Sequence, residues 1–123
     1  MRTDTNIEKE IIMPVIVGQE TWNLWNFLPD KPTKLKGAEL GERVRTESRI
    51  DEVAKQKRIT FLIPQEVFYI SQEFLEALLK NVILNDCQDN VDLVPEDKTK
   101  YDMGNDMPNL IKLVKYKREI GVY

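Results

Sequence analysis

The sequence contains no histidine, the residue that most often acts as a general base and most often binds zinc in proteins. A serine or cysteine nucleophile activated by histidine is therefore excluded, whatever the fold. Glycine is also scarce: the chain has only five, and none belongs to a glycine-rich phosphate-binding loop. These absences favour a non-enzymatic protein that uses no cofactor and no metal.

The chain has a single cysteine, Cys87, and no long apolar run. One cysteine cannot form a disulfide bond within the chain, which favours a reducing compartment. The first ten residues, MRTDTNIEKE, are polar and lack the apolar segment of a signal peptide. No apolar run approaches the roughly 18 residues that are needed to span a bilayer. We therefore expect a cytoplasmic protein that has no membrane partner.

The composition is typical of a globular domain, with 41% hydrophobic and 32% charged residues. A chain of 123 residues is long enough to bury one core, so residues 1–123 are expected to form a single domain, with residues 1–9 as a flexible segment. The formal net charge of −3 argues against nucleic acid as the main partner, because proteins that bind phosphates usually carry a basic surface. A protein partner remains open.

Strand and helix patterns alternate along the chain. The predicted strands are Glu10–Gly18, Glu20–Leu28, Ile59–Ile63 and Val91–Val94. Helices are predicted within Gly37–Gln56, as two short pieces or one kinked piece, and after Ser71 and from Pro108. Ser48 followed by Asp51 predicts a cap for the second short piece. Strands that alternate with helices in this way indicate right-handed crossovers and a mixed or parallel sheet.

The segment RITFLIPQEVFYISQEFLEALLKN (residues 58–81) predicts the centre of the fold. Its first part is apolar on both alternating faces, which predicts a central strand covered on both sides. Ser71 is a favoured N-cap residue, and Glu73 lies in the first turn of the helix that follows, where a negative charge complements the helix dipole. Two apolar rows then follow at helical spacing: Phe74, Leu78, Val82 and Leu75, Leu79, Ile83.

The runs GAELGERVR, ISQEFLEAL and the closing NLIKLVKYKRE resemble the STAS-like domain family, a bacterial and phage relative of the sulfate-transporter and anti-sigma-factor-antagonist fold. The resemblance covers residues 37–118. Gly41 and Arg45 stand where the family has a glycine and an arginine, and Ile70 to Leu78 match its junction into a helix. It implies a single α/β domain with a small mixed β-sheet and helices packed mainly on one side. It also implies that the strand-to-helix turn is exposed and serves as the interaction surface.

The function that this resemblance implies is a non-enzymatic regulatory or adaptor module. The module would bind a protein partner through Tyr69, Ser71, Gln72 and Glu73. In the anti-sigma-antagonist relatives a serine kinase phosphorylates this turn, so Ser71 is the candidate phosphorylation site, and a kinase-like ATPase is a candidate partner. The aspartate and the glycine of those relatives are absent here, and a plain N-cap role for Ser71 is the alternative. The sequence is also compatible with a homodimer.

Other parts of the sequence suggest other functions. The acidic loop (residues 86–106) would imitate phosphates if the chain were an inhibitor from a phage or a mobile element; its spacing lacks the pattern of a calcium-binding loop. It contains seven acids: Asp86, Asp89, Asp92, Glu96, Asp97, Asp102 and Asp106. An enzyme that uses a pair of carboxylates is a further alternative. Trp22, Trp25 and Phe27 either form a binding surface or close one end of the core.

Overall fold

The computed structural model describes residues 18–97 and 106–123. The strands are β1 (Gln19–Asn23), β2 (Lys34–Leu35), β3 (Arg58–Ile63), β4 (Tyr69–Ile70) and β5 (Val91–Pro95). The α-helices are α1 (Ala38–Ser48), α2 (Ile50–Val53), α3 (Gln72–Leu84) and α4 (Asp106–Glu119). This is a small α/β domain, which confirms the predicted fold class. The first predicted strand, except Gly18, and the N-terminal segment 1–9 lie outside the described residues, as do residues 98–105 of the acidic loop.

The strands form two small sheets, and β3 is the centre of the larger one. β1 and β5 pair with β3 on either side, and both pairings are parallel. β2 and β4 form a separate two-stranded sheet, also parallel. Within the two described ranges there is no antiparallel pair, so the prediction of a mixed sheet is narrowed to a parallel one. Helical connections explain this outcome, because parallel neighbours need a crossover rather than a tight hairpin.

The two faces of β3 are buried to different degrees. Ile59, Phe61 and Ile63 are buried on one face, whereas Thr60 and Leu62 on the other are only half-buried. The predicted central position of the strand is confirmed, and in the described part of the molecule its second face is covered only partly. α3 packs between α1 and α4, and both apolar rows of α3 are buried in the core.

The break between α1 and α2 falls at Arg49, as the loss of apolar spacing predicts. Arg49 is left-handed (φ 57°, ψ 35°), and its N–H still bonds the carbonyl of Arg45, so it ends α1. The predicted cap by Ser48 and Asp51 is wrong. The Ser48 hydroxyl donates back to the Arg45 carbonyl, and the Asp51 carboxylate accepts from the Arg45 guanidinium at 3.2 Å and from the Asn81 side-chain amide at 3.0 Å. Asp51 thereby ties α2 to α1 and α3.

α1 and α3 approach each other closely at Gly41. A Cβ atom at this position would lie 2.3 Å from the carbonyl oxygen of Phe74 and 2.8 Å from the Cβ atom of Ala77. Real Cβ contacts do not reach such distances, so the two helices pack backbone to backbone at this point. The spacing is possible only because neither Gly41 nor Ala77 carries a large side chain.

The aromatic residues after Gly18 close one end of the core. The Trp22 ring packs edge to face on Phe27 and Phe61, with centroid distances of 5.6 and 5.9 Å. Trp25 donates its indole N–H to the carbonyl of Pro32 at 3.0 Å. The strand predicted to continue to Leu28 ends at Asn23, whose side chain caps a 3-10 helix by accepting from the N–H of Trp25. These contacts favour the core-closing interpretation of the tryptophans.

α4 begins at Asp106, two residues before the predicted start at Pro108, and buries Leu110 and Val114. The helix ends at Glu119, and Gly121 in the turn that follows has a φ of +81°, where an L side chain would be strained. The Gly121 N–H bonds the Arg118 carbonyl and the Val122 N–H bonds the Lys117 carbonyl, which satisfies the last carbonyl groups of the helix. None of the helices in the described ranges is long and apolar enough to cross a bilayer.

Candidate functional site

Ser71 stands at the turn where the sequence predicts the interaction surface, but its side chain faces inward. It is 4% exposed. Its hydroxyl oxygen accepts one hydrogen bond from the N–H of Phe74 at 3.2 Å and another from the N–H of Gly37 at 2.9 Å. The predicted N-cap is thus confirmed, and both acceptor positions of the oxygen are occupied. A partner or a kinase can reach this oxygen only if the turn first opens.

The other three predicted contact residues are exposed, and each of them lines a different depression of the surface. The depressions that they line have different neighbours. Glu73 lies beside Glu42, Glu76 and Lys80; Gln72 lies beside Ile70, Leu75, Asp106 and Leu110; Tyr69 lies beside Lys34, Lys36 and Phe68. Each depression therefore has its own chemistry and is described separately.

The depression around Tyr69 has the most distinctive chemistry of the three. We call it the β2–β4 groove and define it by its lining residues Lys34, Lys36, Phe68 and Tyr69. Its volume is 320 Å³. Phe68 is 58% exposed and Tyr69 is 44% exposed, so two aromatic side chains that are adjacent in the sequence face solvent here. The ammonium group of Lys34 lies over the Phe68 ring, 5.7 Å from its centroid.

The local sequence explains why these four side chains point outward. In the run Lys34-Leu35-Lys36 the residues alternate, so burial of Leu35 turns both lysines to solvent. Val67 anchors the other segment in the core, and β4 follows it in parallel register, with Tyr69 opposite Lys34. The Phe68 N–H bonds the carbonyl of Thr33 at 2.9 Å, which fixes the two segments side by side.

Of the four groove residues, only Tyr69 is among the contact residues predicted from the sequence. Phe68, Lys34 and Lys36 are not. The alternation around Leu35 was a signal for the lysines, but it spans only three residues inside a segment that its prolines mark as a loop. Phe68 belongs to the apolar run VFYI (residues 67–70), and such a run favours burial rather than exposure. Its exposure follows from the pairing of β4 with β2, two segments 34 residues apart.

A second polar cluster joins α3 to the end of α4. The Glu76 carboxylate accepts from the Lys117 ammonium at 3.1 and 2.9 Å, and also from the hydroxyl of Tyr123. Burial raises the pKa of Glu76, but the hydrogen bonds from Tyr123 and Lys117 and the charges of Lys117 and Lys80 outweigh it, so the net pKa is lowered. Burial, and then the hydrogen bond and negative charge of Glu76, raise the pKa of Tyr123. We call Glu76, Lys117 and Tyr123 the clasp, because their hydrogen bonds hold the turn after α4 against α3.

This clasp predicts a dependence of stability on alkaline pH. Because the folded protein holds the Tyr123 proton more tightly than the unfolded chain does, stability should fall as pH rises above the ordinary tyrosine pKa of about 10. Tyr123→Phe removes that titration, so its free energy of unfolding should fall less than that of the wild type between about pH 9 and pH 11. Urea unfolding at both pH values tests this. The control is Tyr116→Phe, which leaves the clasp intact, and its free energy of unfolding should change with pH as that of the wild type does. The same change with pH in all three proteins would contradict the prediction.

The acidic loop is described only in part. Asp86, Asp89 and Asp92 are exposed, and Glu96 accepts from the backbone N–H of Gln65 at 3.0 Å. In the described ranges no group of three or more acidic or cysteine side chains could hold a metal ion. Cys87 is half-buried and its thiol lies 3.5 Å from the carbonyl of Asn85. In the described part of the loop, Asp86, Asp89 and Asp92 are therefore exposed carboxylates, whereas Glu96 is bonded to the backbone of the domain.

Comparison of the chain with protein-family models, with curated proteins and with solved structures finds no match.

Proposed function

We propose that this chain is a non-enzymatic regulatory or adaptor module that binds a protein partner through the β2–β4 groove. The observation that carries this proposal is the exposure of Phe68 and Tyr69, two adjacent aromatic side chains, immediately before the capped start of α3. Aromatic residues are enriched in the hot spots of protein interfaces, because they bury large areas at a small cost in conformational entropy. The resemblance to STAS-like domains supports the same turn as the contact surface.

Ser71 has a supporting role in this proposal. It holds the turn in shape from within, through its bonds to Gly37 and Phe74, and the groove residues make the contact. Phosphorylation of Ser71 would require the turn to open, and a phosphate there would then displace both N–H groups from the hydroxyl. Tyr69 therefore stays in the proposed surface, whereas Gln72 and Glu73 line other depressions and are not part of the groove. A kinase-like ATPase or another regulator is the proposed partner class, and the single cysteine favours a cytoplasmic setting.

The proposal can be tested by placing a photo-crosslinking amino acid, p-benzoylphenylalanine, at position 68 in native cells. The matched control carries it at position 116, because Tyr116 is exposed to the same extent as Phe68 but lies on α4. We expect a protein that crosslinks from position 68 and not from position 116. When purified, it should bind the wild type at least about tenfold more tightly than Phe68→Ser/Tyr69→Ser, a difference expected for hot-spot residues. Equal binding, or no crosslink from position 68, would overturn the proposal.

The alternative function is an inhibitor that uses the acidic loop. The observation in its favour is the exposure of three carboxylates of this loop, those of Asp86, Asp89 and Asp92. Such an inhibitor would bind a basic channel, and its affinity would fall steeply with salt, because exposed charges are screened. The crosslinking experiment separates the two functions: a partner of the acidic loop would bind Phe68→Ser/Tyr69→Ser as well as it binds the wild type.

A further inference from the structure

We infer that the segment bound in the β2–β4 groove is an acidic peptide that carries an apolar anchor residue. This inference rests on the proposed function and specifies the chemistry of its partner. The aromatic rings supply the apolar contact, and the two lysines at the groove supply the charge. Each lysine offers three hydrogen-bond donors and no acceptor, so a complementary ligand must bring acceptors, and carboxylates are the strongest ones a peptide has.

In the part of the chain that the structure describes, no carboxylate is paired with the lysines of the groove, Lys34 and Lys36. The nearest acids along the chain to the two aromatics, Glu66 and Glu73, do not line the groove. The groove is thus a positive site on a chain whose formal net charge is −3. An anionic segment would find its complement here and be repelled by much of the remaining surface.

The size of the groove argues for a short peptide segment. Its volume of 320 Å³ is at the lower end of the range of about 300–1,000 Å³ that ligand pockets occupy. One or two side chains fill such a space, and flanking residues of the peptide reach the lysines. Lys34 is already held above the Phe68 ring, so it needs little reordering when the anchor residue packs against that ring.

Nucleic acid is the other class of anionic macromolecule, and the structure favours it less. Two lysines at the groove neutralise few phosphates, whereas nucleic-acid binding usually relies on a basic stripe that tracks the backbone. The acidic composition of the chain opposes such a long contact. A peptide needs charge complementarity only over a few residues, which matches the extent of the groove.

The test is selection from a display library of random dodecapeptides on the whole 123-residue chain. Peptides selected on the wild type should be rich in aspartate and glutamate around an aromatic or aliphatic residue. Selection on Lys34→Glu/Lys36→Glu should yield peptides of opposite net charge, whereas the control Lys55→Glu/Arg58→Glu, with the same change in net charge at exposed positions, should select as the wild type does. The strongest wild-type peptide should lose at least about tenfold in affinity on Lys34→Glu/Lys36→Glu.

The other outcomes separate this inference from the proposed function. If binding of the selected peptides depended on Phe68 but the peptides were not enriched in aspartate and glutamate, the inference would be overturned and the proposed function would stand. Selection that is unchanged on Phe68→Ser would overturn both. A labelled twenty-residue oligothymidylate is tested in parallel, and tighter binding of this probe than of the selected peptides would replace the acidic peptide by single-stranded nucleic acid.

Discussion

Replacement of Phe74 by alanine is expected to lower the free energy of unfolding by about 3–5 kcal/mol, the usual cost of removing a fully buried phenylalanine. Phe74 is completely buried and lies on the face of α3 that meets the core. Its backbone also forms the contact with Gly41. A small domain has a total stability of about 5–15 kcal/mol, so the variant should be partly unfolded at low urea concentrations. Urea titration followed by tryptophan fluorescence measures the effect.

The matched control is Phe68→Ala, which makes the same chemical change six residues earlier. Phe68 is mostly exposed, so its loss should alter the free energy of unfolding by less than about 0.5 kcal/mol. The pair also serves the functional proposal, because Phe68→Ala should be folded and yet defective in binding. If the two variants lost similar stability, the assignment of Phe74 to the core and of Phe68 to the surface would be wrong.

Gly41→Ala is the second substitution with a large expected effect. Two physical effects predict opposite signs for the resulting change in the free energy of unfolding. Helix propensity alone would make alanine more stable than glycine by about 1 kcal/mol in the interior of α1. The contact with α3 predicts the reverse, because the new Cβ atom would meet the Phe74 carbonyl at 2.3 Å and the helices would have to separate. Overpacking of this kind usually costs about 1–3 kcal/mol, so we expect net destabilisation.

Thr46→Ala is the control for this experiment. Thr46 is exposed on the same helix, so the change reports the propensity effect without the contact, and a gain of a few tenths of a kcal/mol is expected. Both variants are compared with the wild type by urea unfolding. A gain in stability for Gly41→Ala similar to that for Thr46→Ala would show that α1 and α3 do not approach each other as closely as described.

The features that could be predicted from the sequence are those that depend on neighbouring residues. The Ser71 cap, the two apolar rows of α3 and the end of β3 before Pro64 all follow from local patterns, and the alternation of elements predicted the α/β class. Ser71 also illustrates the limit. Its sequence predicted a cap, and the cap is present, but the second bond to Gly37 is a contact across 34 residues. That contact buries the hydroxyl on which the docking and phosphorylation hypotheses depended.

The β2–β4 groove could not be predicted for a related reason. β2 and β4 have only two residues each, which is too short for an alternating pattern to be distinguished from a loop. Their pairing depends on the core positions of Leu35 and Val67, and these are set by the packing of the whole domain. The exposed pair Phe68 and Tyr69 follows from that pairing, so it emerges only once the three-dimensional structure is known.

The double role of the Ser71 hydroxyl has a consequence for local opening of the structure. The N–H of Gly37, just before α1, and the N–H of Phe74, in the first turn of α3, share one acceptor, so release of that oxygen frees the beginnings of both helices at once. β2 belongs to the same unit, because the Ser71 N–H also bonds the Leu35 carbonyl at 2.8 Å. A ligand that binds only the closed form shifts such an equilibrium by mass action. A partner bound in the groove would therefore make opening of the first turns of α1 and α3 rarer. The backbone N–H groups of Gly37 and Phe74 would then exchange hydrogen more slowly, although the partner contacts neither residue.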